Sequence, residues 1–195
     1  MQPEDLIRAL QRPAPESSDY DLNPAVVLPA GRKLRPAAVL VAICEGQAGP
    51  EVLLTKRASG LKHHPGQIAF PGGKIDDGDR SAEAAALREA QEEVGLNPAL
   101  VRVLGRLPAH ETVTGYTVIP ILAHIGGPFV TRAEAGEVEE VFRVPLVHLA
   151  DRSRYRIERR QWRGQWRRYY AVPWGPYYIW GATARILRGL ADRLA

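Results

Sequence analysis

The chain has 195 residues, 45% of them hydrophobic and 25% charged, a balance that suits one globular domain with a full core and excludes a disordered or low-complexity chain. A net charge of +4 and a pI near 9.4 favour anionic ligands, and apolar runs of about eight residues fall far short of the roughly 18 that span a bilayer. A lone cysteine, Cys44, excludes an internal disulfide, and the acid-containing start MQPEDLIRAL does not read as a signal peptide, so a cytoplasmic protein is expected.

In chain order, residues 4–11 predict a short helix, followed by a Pro-rich arm to about Pro36 that can cover a sheet edge or serve a homodimer partner. The arm, 1–35, precedes a main domain over 36–195, the two forming a single globular unit. AAVLVAIC (37–44) and EVLLTKR (51–57) predict strands around a glycine-containing turn, with Cys44 a buried strand thiol. FPGGK (70–74) then imposes a turn in which glycines let the backbone approach a ligand closely. A helix follows, capped by Asp79 or Ser81 and running through REAQEE (88–93). Residues 100–107, 116–125 and 138–144 predict further strands. RYRIERRQW and WRRYYAVPW flank Arg163, Gly164 and Gln165 and predict a hairpin with arginines outward and aromatics inward. The last segment is helical, with Ile179, Ala182, Ile186 and Leu190 near one side. Strands mixed with a few helices give an α+β class.

REAQEE carries the chemistry. On a helix, Glu89, Glu92 and Glu93 fall within a wedge of roughly 100°, opposite Leu87, Ala90 and Val94. Three like charges so placed repel, and a hard cation with oxygen ligands, Mg²⁺ or Mn²⁺, offsets that repulsion. A solvated acidic face is the plainer reading, but glycine turn, helix and acid face come in the order a phosphate-metal site needs. The glycines do not form a P-loop, because Pro71 stands where a glycine is required and Ile75 follows Lys74. His63 and His64 lack Cys or His partners at zinc spacing and read as a substrate-facing loop, while His110, His124 and His148 read as structural or exposed. Arginines and aromatics over 152–169 fit a strand hairpin better than a single-strand binder, so nucleic acid is not an expected partner.

On these residues the chain resembles the Nudix hydrolases. Arg88, Glu89, Ala90, Gln91, Glu92, Glu93, Val94, Gly95 and Leu96 match the C-terminal half of that family's signature. The N-terminal half departs: Gly73 lies one residue too far from Arg88, Arg80 stands where the first glutamate belongs with Asp79 just before it, and Glu83 is off register near the apolar side. The same lengthening, with LLTKRASGLKHHPGQIAFPGG (53–73), EVEEVF (137–142) and IWGATARIL (179–187), is similar to the coenzyme A pyrophosphatase branch, and the resemblance spans roughly 36–190. It implies a Nudix α/β/α sandwich with a mixed β-sheet. It implies hydrolysis of the diphosphate bond of coenzyme A or its acyl derivatives to 3′,5′-ADP and 4′-phosphopantetheine. Mg²⁺ or Mn²⁺ on Glu89 and Glu93, with Glu92, would neutralise diphosphate oxygens and lower the pKa of bound water, and Arg88 would brace the carboxylates. Arg57, Lys74, His63 and Gly73 are the candidate substrate contacts, and the catalytic base is open between Glu92 and a distal Glu137 or Glu140. ADP-ribose, NADH or capped RNA share the scissile bridge, and a non-catalytic nucleotide-sensing or RNA-binding module is the reading from outside the enzymes.

Overall fold

The computed structural model describes residues 3–62, 64–162 and 164–195. Helix α1 (Pro3–Gln11) and the two-residue strand β1 (Ser17–Ser18) precede β2 (Arg35–Gly46), into which the apolar run after Pro36 extends. Then come β3 (Gly49–Arg57), β4 (Ile68–Ala69), β5 (Gly72–Lys74), α2 (Ala82–Val94), β6 (Val101–Arg106), β7 (His110–Glu111) and β8 (Tyr116–Ile125). The chain closes with β9 (Val138–Pro145), α3 (Leu146–Ala150), the hairpin β10 (Arg156–Trp162) and β11 (Gln165–Ala171), and α4 (Gly181–Leu194).

β2 is the spine of a mixed sheet. It runs parallel to β8 from Arg35↔Tyr116 to Cys44↔Ile125 and turns tightly into antiparallel β3 at Gly46↔Gly49. β9 extends the sheet beyond β3, β6 and β7 pair with β8, and β5 lies along the first half of β2. The Pro-rich arm does cover an edge, since β1 adds a parallel pair to β7.

Period-two alternation places the core on both faces of β2. Ala38, Leu40, Ala42 and Cys44 face Ala85, Ala86, Ala90 and Val94 of α2. Val41 and Ile43 face the opposite cluster, which holds Leu6 of α1, Leu146 of α3 and Ile186, Leu187 and Leu190 of α4. Helices thus cover both faces, the expected three-layer sandwich. Alanines along α2 let its backbone sit close to the sheet. Ser81 starts that helix by accepting from the Ala84 amide at 3.2 Å, and Gly95 ends it in a left-handed conformation at φ 70°. Burial raises the Cys44 thiol pKa to about 11, as fits a structural strand thiol.

Two expectations change in detail. On α4, Ala182 is only half-buried, whereas Thr183 and Arg193 are buried, because the Thr183 hydroxyl donates to the Ile68 carbonyl of β4 at 3.0 Å and Arg193 packs on the end of α1. In the hairpin, Tyr170 packs on the core and Tyr169 lies 5.1 Å from the Trp180 ring, but Trp166 is 61% exposed. Trp166 shares a strand face with Tyr170 nearer the turn, where the ribbon has run past the core. Its ring is covered by the Arg159 guanidinium, 4.9 Å from the centroid. No helix among the described residues is long and apolar enough to cross a membrane.

Candidate active site

The three glutamates of α2 occupy three different environments. Glu93 is 5% exposed, and its Oε2 accepts from the Gly72 amide at 3.0 Å, which ties the helix to β5. Burial raises its pKa to about 7; the Gly72 amide opposes this, Glu89 and Glu137 add to it, and Arg57 works against it. Glu89 is partly buried and also raised, mainly by desolvation, with Arg88 opposing and Glu92 and Glu137 adding. The Glu92 side chain is 59% exposed. The single acidic face read from the helix is therefore graded from buried to open, because α2 rolls Glu93 under β5.

The two glycines of β5 make room for its neighbours, Gly72 for β2 and Gly73 for the Glu89 side chain. A Cβ on Gly72, whose φ is 152°, would stand 2.4 Å from the Ala38 carbonyl oxygen of the neighbouring strand. A Cβ on Gly73 would stand 2.6 Å from the Glu89 carboxyl, the far end of a flexible side chain. The two replacements should therefore separate. Gly72→Ala is expected to destabilise by about 3 kcal/mol in chemical denaturation. Gly73→Ala should unfold close to the wild-type midpoint yet lose activity as Glu89 is displaced, and equal midpoints for both variants would contradict this account.

Arg88 is the hub. Its Nε and Nη2 reach the two Asp79 carboxylate oxygens at 3.1 and 3.0 Å, and its Nη1 reaches Glu89 at 2.9 Å and Glu92 at 3.2 Å. Nη2 also donates to the Lys74 carbonyl at 3.3 Å, fastening the helix to the end of β5. Arg88 thus braces the carboxylates, as the resemblance implies. Asp79 is not the helix cap; it holds Arg88 in a fork, which keeps its own pKa below the ordinary range. Sequence reading gave Asp79 only a capping role, although an acid in the turn before the helix has the reach to meet Arg88. Glu83 stands apart, paired with Arg106 at 2.6 Å and held down to a pKa of about 2 by that hydrogen bond. Asp79→Asn is expected to lower kcat/KM about tenfold, as loss of an outer support does. Glu83→Gln should leave kcat/KM near wild type; steady-state assays of the pair check this.

The distal elements converge on the same end of α2. The register between β3 and β9 shifts between Lys56 and Arg57, a bulge at the end of β3 that sets Arg57 close enough to Glu93 to act on its charge. The Arg57 Nε is buried with no hydrogen-bond partner. The loop before β9 is pinned to the helix end by the Arg132 amide on the Val94 carbonyl and the Glu134 amide on the Glu93 carbonyl, both 3.0 Å. The loop brings Glu137 within electrostatic range of Glu89 and Glu93, and the Ala58 amide holds the Glu137 carbonyl at 2.8 Å. Among the described residues the Glu137 carboxylate makes no ion pair, whereas Glu92 is engaged by Arg88 and Glu140 by the Tyr177 hydroxyl at 2.5 Å. The Lys74 side chain is exposed at the end of β5, and the candidate contact His63 lies outside the described residues.

No three acidic, histidine or cysteine side chains among the described residues are gathered into a closed cage, and Arg88 spans Glu89 and Glu92. The donors are nevertheless all carboxylate oxygens. One of them, Glu93, is a buried carboxylate whose ionisation is disfavoured by desolvation and by the neighbouring Glu89 and Glu137 charges, a cost that a hard divalent cation would offset.

A model of the NUDIX domain matches residues 33–162. Over 157 residues the chain is 45% identical to a protein of Escherichia coli K12 named as the uncharacterized Nudix hydrolase NudL, an overlap of 80% of this chain and 81% of that one. RenU, a Nudix hydrolase from M. smegmatis, superposes with a TM-score of 0.51 at 27% identity over 61% of this chain and 75% of its own. The NUDIX domain of Shewanella oneidensis NrtR, solved with ADP ribose, superposes with a TM-score of 0.55 over 88% of this chain and 96% of its own, at an identity of 17% that speaks for the fold alone.

Proposed function

This chain belongs to the NUDIX domain family and is a Nudix hydrolase, and from that premise we propose that it cleaves the diphosphate bond of coenzyme A or its acyl derivatives. The products are 3′,5′-ADP and 4′-phosphopantetheine or its acyl form. The observation that carries this reading is the place of segment 53–73, the stretch similar to the coenzyme A branch. It supplies Arg57, Gly72 and Gly73 to the wall around Glu89 and Glu93. The lengthened spacing between Gly73 and Arg88 supports it too, since Asp79 takes up the arginine across that extra residue.

Glu89, Glu92 and Glu93 hold the divalent cation, Mg²⁺ or Mn²⁺. When bound, it neutralises diphosphate oxygens and makes water more acidic. Arg57, whose charge stands near Glu93, and Lys74 bind phosphate oxygens, and Gly73 lets the diphosphate approach the backbone. Glu137 takes the proton as water attacks phosphorus and the bridging P–O bond breaks. Among the described residues Glu92 is ion-paired with Arg88 and Glu140 is held by the Tyr177 hydroxyl, which favours Glu137 over both. The arm over 1–35 and the domain over 36–195 act as one unit in this reading, because α1 packs on α4 and β1 on β7. Cytoplasmic residence and a homodimer belong to the same proposal, tested by cell fractionation and by size-exclusion chromatography with light scattering.

The deciding experiment incubates the protein with Mg²⁺ or Mn²⁺ and coenzyme A, ADP-ribose, NADH or capped RNA, and identifies products by mass spectrometry. Release of 3′,5′-ADP from coenzyme A, well ahead of cleavage of the others, is expected. ADP-ribose is the second reading, favoured by the fold shared with the ADP ribose-bound NrtR domain, and its preferential cleavage would select it. No cleavage of any of the four would favour a binding module.

A further inference from the structure

On the face of the sheet opposite α2, the C-terminal ends of α1 and α4 meet. Arg193 of α4 is 7% exposed, and its Nη1 donates to the Ala9 and Leu10 carbonyls of α1 at 3.1 and 3.3 Å. Arg12, just after α1, returns the contact by donating to the Arg193 carbonyl at 2.8 Å and to the Ala195 carbonyl. Each helix end is thus capped by an arginine from the other. Carbonyl dipoles offset only part of a full charge. The Arg193 Nε is buried with no hydrogen-bond partner, and among the described residues no carboxylate forms an ion pair with Arg193. A buried guanidinium without an anion is costly, and its desolvation weakens its hold on the proton.

Beside this clasp lies a cavity of about 340 Å³, bounded by the arm over residues 12–17, the Leu107–Pro108 turn and one side of α4. Its volume lies within the range of small-ligand sites, roughly 300–1,000 Å³. Arg12, Arg193 and Ser17, whose hydroxyl is bonded to His110 Nδ1 at 2.9 Å, lie on its polar side, and Leu107, Ile186 and Leu190 supply apolar walls. The other charged lining groups are committed elsewhere: Arg185 pairs with Asp21 at 2.9 Å, and Asp192 pairs with Arg188 at 3.1 Å. Reciprocal capping accounts for the Arg193 Nη1, and Arg193 is at the same time one of the residues that line the apolar-walled space.

We propose that this cavity is a second ligand site, separated from the glutamates by the sheet, that takes an amphiphilic monoanion. The head is a carboxylate or phosphate monoester lying against Arg12 and Arg193, and a short apolar body lies along Leu107, Ile186 and Leu190. The head supplies the counter-charge that Arg193 lacks, and the body removes water from the apolar walls. Neither half of the ligand suffices alone, because the charge is shared with two helix ends and the apolar strip is short.

Isothermal titration calorimetry of the whole chain with octanoate, octyl phosphate, 1-octanol and acetate tests this. One saturable site for octanoate or octyl phosphate is expected, the tighter of the two naming the head group, with 1-octanol and acetate at least about tenfold weaker. Gly189 lies on the cavity wall, and a Cβ there would meet nothing closer than the Arg185 Nη1 at 3.8 Å, so Gly189→Phe fills the space in a helix that tolerates it. That variant, with circular dichroism and thermal midpoint near wild type, should bind the anion at least about tenfold more weakly. Arg193→Met should do the same if it folds, and Gly189→Phe carries the test if it does not. The proposal fails if neither amphiphilic anion saturates, if 1-octanol or acetate binds as well, or if Gly189→Phe leaves the affinity unchanged.

Discussion

Glu93→Gln is expected to lower kcat by on the order of 10³-fold and, in metal-free buffer, to make the protein more stable. The first effect follows from losing a carboxylate that, in the proposed mechanism, holds the divalent cation. The second follows from burial, which raises the Glu93 pKa to about 7 from an ordinary value of 4.5. A raised carboxyl pKa means that the folded state takes up protons more readily than the unfolded chain. Its stabilising contribution is present below about pH 4.5 and is lost as pH rises to about 7. Gln keeps an acceptor for the Gly72 amide without the buried charge, so the variant should gain up to about 3 kcal/mol at pH 8, and this gain should vanish near pH 4.5. Urea denaturation at the two pH values measures it. Mg²⁺ or Mn²⁺ should raise the wild-type melting temperature and leave that of Glu93→Gln nearly unchanged. A variant with full activity, or one that melts lower than wild type at pH 8 without metal, would sink the assignment.

Glu137→Gln is expected to lower kcat about 10²-fold with KM little changed, and to remove the acid limb of the pH–rate profile. The reason is geometric: the pinned loop delivers a carboxylate without an ion-pair partner among the described residues to the end of α2 that carries Glu89 and Glu93. The change leaves the metal set intact, so stabilisation by Mg²⁺ should persist, unlike in Glu93→Gln. Glu140→Gln is the control. Its carboxylate is held by Tyr177, so that variant should keep the acid limb. If Glu137→Gln kept the acid limb, the base would have to be sought at Glu92.

Most of the elements were legible because the pattern and the packing ask for the same thing. The strands at 37–44 and 116–125 are near-continuous apolar runs because β2 and β8 are buried on both faces, and such runs have few alternatives. The glutamate helix was legible from spacing, and so was the separation of Glu83 from the other acids. Strands β1, β4, β5 and β7, of two or three residues each, were not legible. Such short pairings carry no period of their own and exist only because a longer neighbour offers an edge.

The site divides in the same way. Local sequence determined that Glu89, Glu92 and Glu93 share a helix with Arg88, since a 3.6-residue repeat needs only adjacent residues. Only the tertiary structure decided that these acids are unequal, with Glu93 under β5 and Glu92 in the open, because burial depends on what packs above the helix. It also decided that Asp79 serves Arg88 rather than the helix end. Arg57 and Glu137, 80 residues apart in the chain, reach the same carboxylates because β3 pairs with β9, and register between distant strands is a property of the assembled sheet.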